Sequence, residues 1–422
     1  MKKLVFFFAM IFAVGTALSQ NTATISQSGD NHKADVTQTG ANNEAQVMQN
    51  GGNNNRIGFP LPGDPGINVG SETDDLSKAK GLVQEGDRNK TTITQTGSNN
   101  VIQQFRQLRN IFNSVFQKGN DNEFKIEQIG DNNVIGQAVY EYNAIEQQGG
   151  NGNYAEILQQ GNANKLSVFY QLNDGNTANI AQKGNNNRID VASQKKQATV
   201  SPLHNVLNIL QEGTYNIIEN AGEQGDNIMG DIYQLGDRNK ASMQLTHSFA
   251  FGDIDQIGND NLARVTINQS YVGAGNSGTI YQKGDFNKAT TVIGQTDPAT
   301  VSTNNKMEIS QVGNHDDANI WVQGSNNKAK IEQDGSRNVA DIVQKGNLND
   351  ASLVQYGSDN LANVNILGNS NIGTVSSVGD FNKVTVNVEG NLNGFTVSQD
   401  GISHVATLTQ LGNGNMASIT QH

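Results

Sequence analysis

The sequence predicts an all-β fold, a parallel β-solenoid (β-helix) of two sheets, with 22 residues per turn divided into two strand-and-arc units of eleven. Three observations predict it. From Gln311 to Gln421 the chain repeats every eleven residues without a slip, with unit starts at Gln311, Val322, Gln333, Gln344, Gln355, Ile366, Ser377, Val388, Gln399 and Gln410. Two residues after every start stands a glycine: Gly313, Gly324, Gly335, Gly346, Gly357, Gly368, Gly379, Gly390, Gly401 and Gly412. Counting from the start, positions five, seven, nine and eleven carry Asn, a small apolar residue, an aliphatic residue and Gln, which share one parity and therefore one face of a strand.

That face is the interior. Its asparagines include Asn327, Asn338, Asn349, Asn360, Asn382 and Asn415, and positions six, eight and ten between them are polar and variable, as in Lys328, Lys330 and Glu332. The remaining x-Gly-x-x is too short for a helix and long enough for an arc, where glycine supplies backbone angles that side chains forbid. Two units make one turn of two facing strands, and successive turns stack in parallel at about 4.8 Å. Buried amides are then expected to form ladders, each donating to the residue above and accepting from the one below. Each paired amide contributes about 0.5–1.5 kcal/mol and each buried Ile, Val or Leu about 1.5–3 kcal/mol. The apolar stripe thus drives folding and the amides set register, since a slip of one residue turns them outward.

Read in order, the chain opens on Lys2 and Lys3, the apolar run Leu4–Val14 and Ala17-Leu18-Ser19, the pattern of a secretory signal peptide over residues 1–19. Residues 20–422 are expected to form a single solenoid. Its first strand is Asn21, Ala23, Ile25 and Gln27, and further units start at Gln84, Gln95, Gln117, Gln128, Gln148, Gln159, Gln182, Gln211, Gln234, Gln256 and Gln282. Insertions break the spacing near 52–80, 103–116, 136–147, 194–204 and 294–303, read as loops leaving the turns at their bends. The count is 31 to 34 strands, about 15.5–17 turns.

Composition excludes several classes of function. The formal charge is −12, and near −14 without Lys2 and Lys3, which argues against a nucleic-acid or anionic-membrane partner. No apolar run is long enough to span a membrane, so the chain is not expected to be membrane-inserted. There is no cysteine for disulfides or thiolate metal sites. No catalytic, metal or cofactor site is predicted, and the chain is read as no enzyme. The six histidines have no ligand spacing, and His32 and His404 fall in the asparagine slot. The acid pairs Asp74/Asp75 and Asp316/Asp317 read as solvated bends, and the Gly-Asp-x-Asn bends present one carboxylate each, too few for a calcium loop. Trp321 faces outward by parity.

A soluble solenoid usually caps its terminal edges, because an open strand recruits another chain. Here the repeat runs from Asn21, Ala23, Ile25 and Gln27 to Ala417, Ile419 and Gln421 with no cap expected at either end, so head-to-tail stacking into a filament is predicted.

The same residues carry a family likeness. Ala-x-Ψ-x-Gln-x-Gly-x-x-Asn-x-Ala-x-Ψ-x-Gln, as in Ala340 to Gln355, closely resembles the curlin repeat of curli fibre subunits, over almost the whole span after the leader. The resemblance implies a secreted, extracellular functional amyloid of a bacterial biofilm matrix. It also implies export through a curli-type outer-membrane secretion pore and nucleation by a minor subunit. The alternative is a monomeric ice-binding or adhesin solenoid, suggested by the outward pairs Thr374/Ser376, Thr396/Ser398 and Ser418/Thr420, an array that gives way to Asp350/Ser352 and Lys328/Lys330. A polysaccharide lyase would need clustered acids and bases on one sheet, which the sequence does not present.

Overall fold

The alternation that begins at Asn21 becomes strands and nothing else: the described residues contain no helix. The computed structural model describes residues 20–58, 81–103, 115–136, 145–195, 204–246, 248–268, 275–294 and 302–422. The leader expected over 1–19, the acid pair Asp74/Asp75 and most of the expected insertions lie outside them.

Thirty-four strands form two parallel sheets, one of sixteen strands (sheet I) and one of eighteen (sheet II). The chain passes from one sheet to the other at every arc, so neighbours in a sheet are one full turn apart, as in Lys328↔Asp350 and Gln333↔Gln355. Three rungs of sheet II are each built from two strands: Arg56–Ile57 with Leu82–Glu85, Val101–Gln103 with Val115–Lys118, and Val134–Gly136 with Ile145–Gln148. The eighteen strands of sheet II therefore make fifteen rungs against sixteen in sheet I, thirty-one rungs and 15.5 turns among the described residues. The first rung (Thr22–Asp30) and the last (Met416–Gln421) both lie in sheet I.

The split rungs correct the expected insertions. The first three interrupt a strand within sheet II and not a bend, and residues 52–57 still belong to the repeat, since Asn55 and Ile57 are fully buried in their slots. Each half-strand stays paired with the halves above and below it, so the backbone donors and acceptors keep their partners. The other two interruptions, at 196–203 and 295–301, fall on arcs from sheet II to sheet I, and a further insertion falls at 269–274, where none was expected.

Between the sheets runs one thin apolar core from Ala45 to Leu408. Burial alternates as parity demands, with Ala340, Ile342 and Gln344 inside and Asp341 and Val343 facing out. Facing slots trade volume. Gly230 and Gly252 in sheet I leave the space filled by Met243 and Leu245 of sheet II, and Gly373 lies under the ring of Phe395. Where both sheets carry bulk, Phe124 meets Phe169 edge to face, with centroids 6.4 Å apart.

Candidate functional site

The repeat concentrates its chemistry in columns of amides that run along the stacking axis. In sheet I the glutamine slot is filled by Gln in fifteen of sixteen rungs. From Gln27 to Gln333 each Nε2 donates to the Oε1 of the next rung, with Gln282–Gln311, Gln311–Gln333 and Gln333–Gln355 at 2.8, 2.9 and 2.9 Å. Most of these amides also donate to a backbone carbonyl of the facing sheet, as Gln355 does to Val339 O at 3.1 Å, which ties the sheets together. Ser377 interrupts the column, its hydroxyl 3.3 Å from Gln399 Oε1, and Gln399 resumes it by donating to Gln421 at 2.8 Å.

Sheet II differs. Its column runs from Gln38 through Gln84, Gln117, Gln147, Gln171 and Gln194 to Glu223, which accepts from Gln194 at 2.9 Å. Beyond Glu223 the slot turns aliphatic, at Leu245, Ile267, Ile293, Val322, Ile366 and Val388. Gln344 and Gln410 are therefore alone among apolar neighbours. Each donates once to the facing sheet, to Lys328 O and Gly394 O at 2.9 Å, and the Oε1 of each is buried without a partner. The ladder expected of these two residues does not form within the molecule, because Gln344 lies between Val322 and Ile366 and Gln410, in the last rung of sheet II, follows Val388.

The asparagine columns form the expected side-chain ladder in part, as where Asn327 and Asn360 donate to the Oδ1 of Asn305 and Asn338 at 3.1 and 3.0 Å, and add bonds to the backbone. In most rungs the Oδ1 accepts the backbone N–H of the next turn's slot residue and the Nδ2 donates to the carbonyl of the next turn's arc glycine, Asn176, whose Oδ1 has no partner, being an exception. Asn327 receives Asn349 N at 2.9 Å and donates to Gly346 O at 2.8 Å. Asn338, Asn349, Asn360 and Asn382 donate likewise to Gly357, Gly368, Gly379 and Gly401, and Asn415 N continues the column from Asn393 at 2.8 Å. The histidines serve as substitutes: His32 Nδ1 accepts Asn55 N–H at 3.2 Å, and His404 N donates to Asn382 Oδ1 at 3.0 Å.

Asp316 corrects the reading of a solvated bend. It fills the asparagine slot and is buried, accepting Asn338 N and Nδ2 at 2.8 and 3.1 Å, while its Oδ2 has no partner. Burial pushes its carboxyl up to about 6, against which the bonds from Asn338 act more weakly. Glu223 is likewise raised well above the ordinary carboxylate range by burial.

The ten arc glycines, Gly313 to Gly412, all have φ between 97° (Gly412) and 142° (Gly335). A Cβ at Gly346 would overlap the carbonyl oxygen of Gly368 one turn on, so the column excludes side chains on steric as well as conformational grounds. Two arc features were not read from the sequence. The residue after the glycine builds an outer column, Asn347 N to Asn369 Oδ1, Asn369 N to Asn391 Oδ1 and Asn391 N to Asn413 Oδ1, each at 2.8 Å. In the Gly-Asp-x-Asn bends the aspartate does the same, as Asp380 does for Ser358 N at 2.8 Å, which occupies the carboxylate with a backbone donor. The signal was present in the recurrent Asn or Asp after glycine. The residue before the asparagine slot is left-handed whatever its type, with φ near 60° at Leu348, Phe381 and Leu392.

The columns run out to two open edges. Thr22–Asp30 pairs only with Glu44–Asn53, and Met416–Gln421 only with Gly394–Asp400, among the described residues. Ile25 is 42% exposed where its partner Val47 is 0%. Asn21, Ala23 and Gln27 at one edge and Ala417, Ile419 and Gln421 at the other thus present the same sequence of slots to solvent.

Among the described residues no group of three His, Asp or Glu side chains could hold a metal ion, and no helix is long and apolar enough to cross a membrane. A family model described as Curlin associated repeat matches residues 19–40, 86–130, 225–270, 303–335, 335–365 and 390–422. The chain is a curlin-repeat protein. The six matches reach from the first rung to the last, and in each the curlin pattern places Gln, the arc Gly and Asn in the columns described above. Curlin repeats belong to a structural, non-enzymatic family of curli-type amyloid fibre subunits. No curated protein matches the chain.

Proposed function

We propose that this curlin-repeat protein is a secreted structural subunit that self-assembles end to end into curli-like functional amyloid fibres of a bacterial biofilm matrix, where it serves adhesion and surface coating. The observation that carries the reading is the pair of open edges. One rung exposes Asn21, Ala23, Ile25 and Gln27 and another exposes Ala417, Ile419 and Gln421, each column ready to continue into a second copy. Export through a curli-type outer-membrane pore and initiation by a nucleator subunit belong to the same reading, supported by the family. Chain released from denaturant at micromolar concentration is expected to give unbranched fibres whose diffraction shows a meridional reflection near 4.8 Å. Persistent monomer, seen by light scattering and electron microscopy, overturns the proposal.

A further inference from the structure

Resting on that reading, we infer that successive copies join with a rotation of half a turn about the fibre axis, so that sheet I of one copy continues into sheet II of the next. The observation is the odd number of rungs among the described residues: thirty-one, with Thr22–Asp30 and Met416–Gln421 both in sheet I. If a copy were stacked by translation alone, Thr22–Asp30 would lie on Met416–Gln421. Sheet II would then lack a rung between Val405–Leu411 and Val36–Thr39 of the next copy, leaving both edges unpaired over a gap one strand wide.

A half-turn closes that gap. Thr22–Asp30 of the next copy then lies on Val405–Leu411, and Val36–Thr39 of the next copy on Met416–Gln421. The slots match throughout: Ala406 meets Ala23, Leu408 meets Ile25, Gln410 meets Gln27, and Ala417, Ile419 and Gln421 meet Ala34, Val36 and Gln38. The eleven-residue period permits this, because every rung presents the same slots whichever sheet it belongs to.

A hydrogen bond distinguishes the two joints. Gln38, Gln49 and Gln421 each donate to the carbonyl of the residue sixteen positions earlier on the facing sheet, Thr22, Lys33 and Val405, at 3.1, 3.2 and 3.1 Å. Gln27 Nε2 donates to Gln49 Oε1 at 2.7 Å, and no rung faces it among the described residues. In the half-turn joint Met416 O of the preceding copy stands at that position; in the translated joint it faces the gap. The asparagine columns continue as well, with the Asn21 N–H of the next copy over the His404 ring in the relation that Asn55 bears to His32.

Two double-cysteine variants of this cysteine-free chain test the inference. Ser26→Cys with Thr409→Cys places thiols on adjacent in-register strands only across a half-turn joint, and Ser26→Cys with Thr420→Cys only across a translated one. All three side chains are exposed, and within one molecule Ser26 lies roughly 70 Å from either partner, so any bridge is intermolecular. Oxidised fibres of the first variant are expected to dissolve in denaturant as a ladder of covalent multimers, and those of the second as monomer. The reverse result, or fibres in which neither pair bridges, overturns the half-turn joint. Failure of the unmodified chain to form fibres at all defeats instead the assembly reading on which it rests. Imaging of unmodified fibres gives a second readout: an axial repeat of two copies, roughly 150 Å, is expected, and a one-copy repeat near half that length contradicts the inference.

Discussion

Gln344 and Gln355 are the same residue at the same position of the repeat, eleven residues apart, and the column each occupies gives them opposite energetics. Gln355 accepts from Gln333 at 2.9 Å and donates to Val339 O at 3.1 Å, so Gln355→Leu is expected to cost about 1–3 kcal/mol. Gln344 sits between Val322 and Ile366 with its Oε1 unpaired, so Gln344→Leu is expected to be neutral or to stabilise by about 1 kcal/mol. Urea denaturation of the two variants checks the pair, and equal losses would remove the distinction between the columns. Asp316 supplies a pH dependence. Its carboxyl is pushed up to about 6 in the fold, so the folded state binds the proton more tightly than the unfolded chain. Stability is then highest below the ordinary carboxylate range and falls as pH rises from about 4 to about 6. Asp316→Asn, which restores the amide of the slot, is expected to raise stability at pH 7 by about 1–2 kcal/mol and to flatten that part of the profile, read as the difference between variant and parent melts. The Asp316 slot was legible by counting five from Gln311, but an adjacent Asp317 gave the pair the look of a solvated bend. The isolation of Gln344 was harder to see, because its neighbours in space are the residues 22 positions away, Val322 and Ile366, and not those of the adjoining units.

At the scale of the element, the arc is where the repeat tolerates least. Gly346 has φ 123° and faces the Gly368 carbonyl, so Gly346→Ala is expected to destabilise by about 3 kcal/mol or more. Gly414 has φ 70° and open space where its Cβ would stand, so Gly414→Ala is expected to cost only about 1–2 kcal/mol. Thermal unfolding of both separates collision with the next turn from backbone strain. In the regular region strands and arc glycines were legible, since parity and a fixed glycine declare themselves in the sequence, whereas the unit expected to start at Gln148 has Gln147 in the slot. The left-handed residue before each asparagine was not, because Leu348, Phe381 and Leu392 are types that rarely adopt that conformation and hold it only because the stacked arcs impose it. The split rungs were illegible for a related reason. Ile57 and Leu82 belong to one rung although the sequence separates them, and only pairing with Ile102 and Val115 reveals it.

For the whole molecule, stability is a sum of nearest-neighbour terms, since each rung touches mainly the turn before and the turn after. The two sheets are unequal in their chemistry, with amides along almost all of sheet I and aliphatic residues along the later half of sheet II, yet equal in their geometry. The family and the two-sheet fold were legible because one unit, read well, describes every rung; the turn count stayed a range until the split strands were paired. The recurrent separation of 22 residues between column partners has a kinetic consequence. No native contact in the regular region requires the chain to find a distant segment, so a rung can form as soon as its predecessor exists, and loop closure costs the same at every step. Folding of a chain and lengthening of a fibre then become one elementary event, the laying of a strand along a waiting edge, and the boundary between two molecules is crossed at the pace of the boundary between two turns.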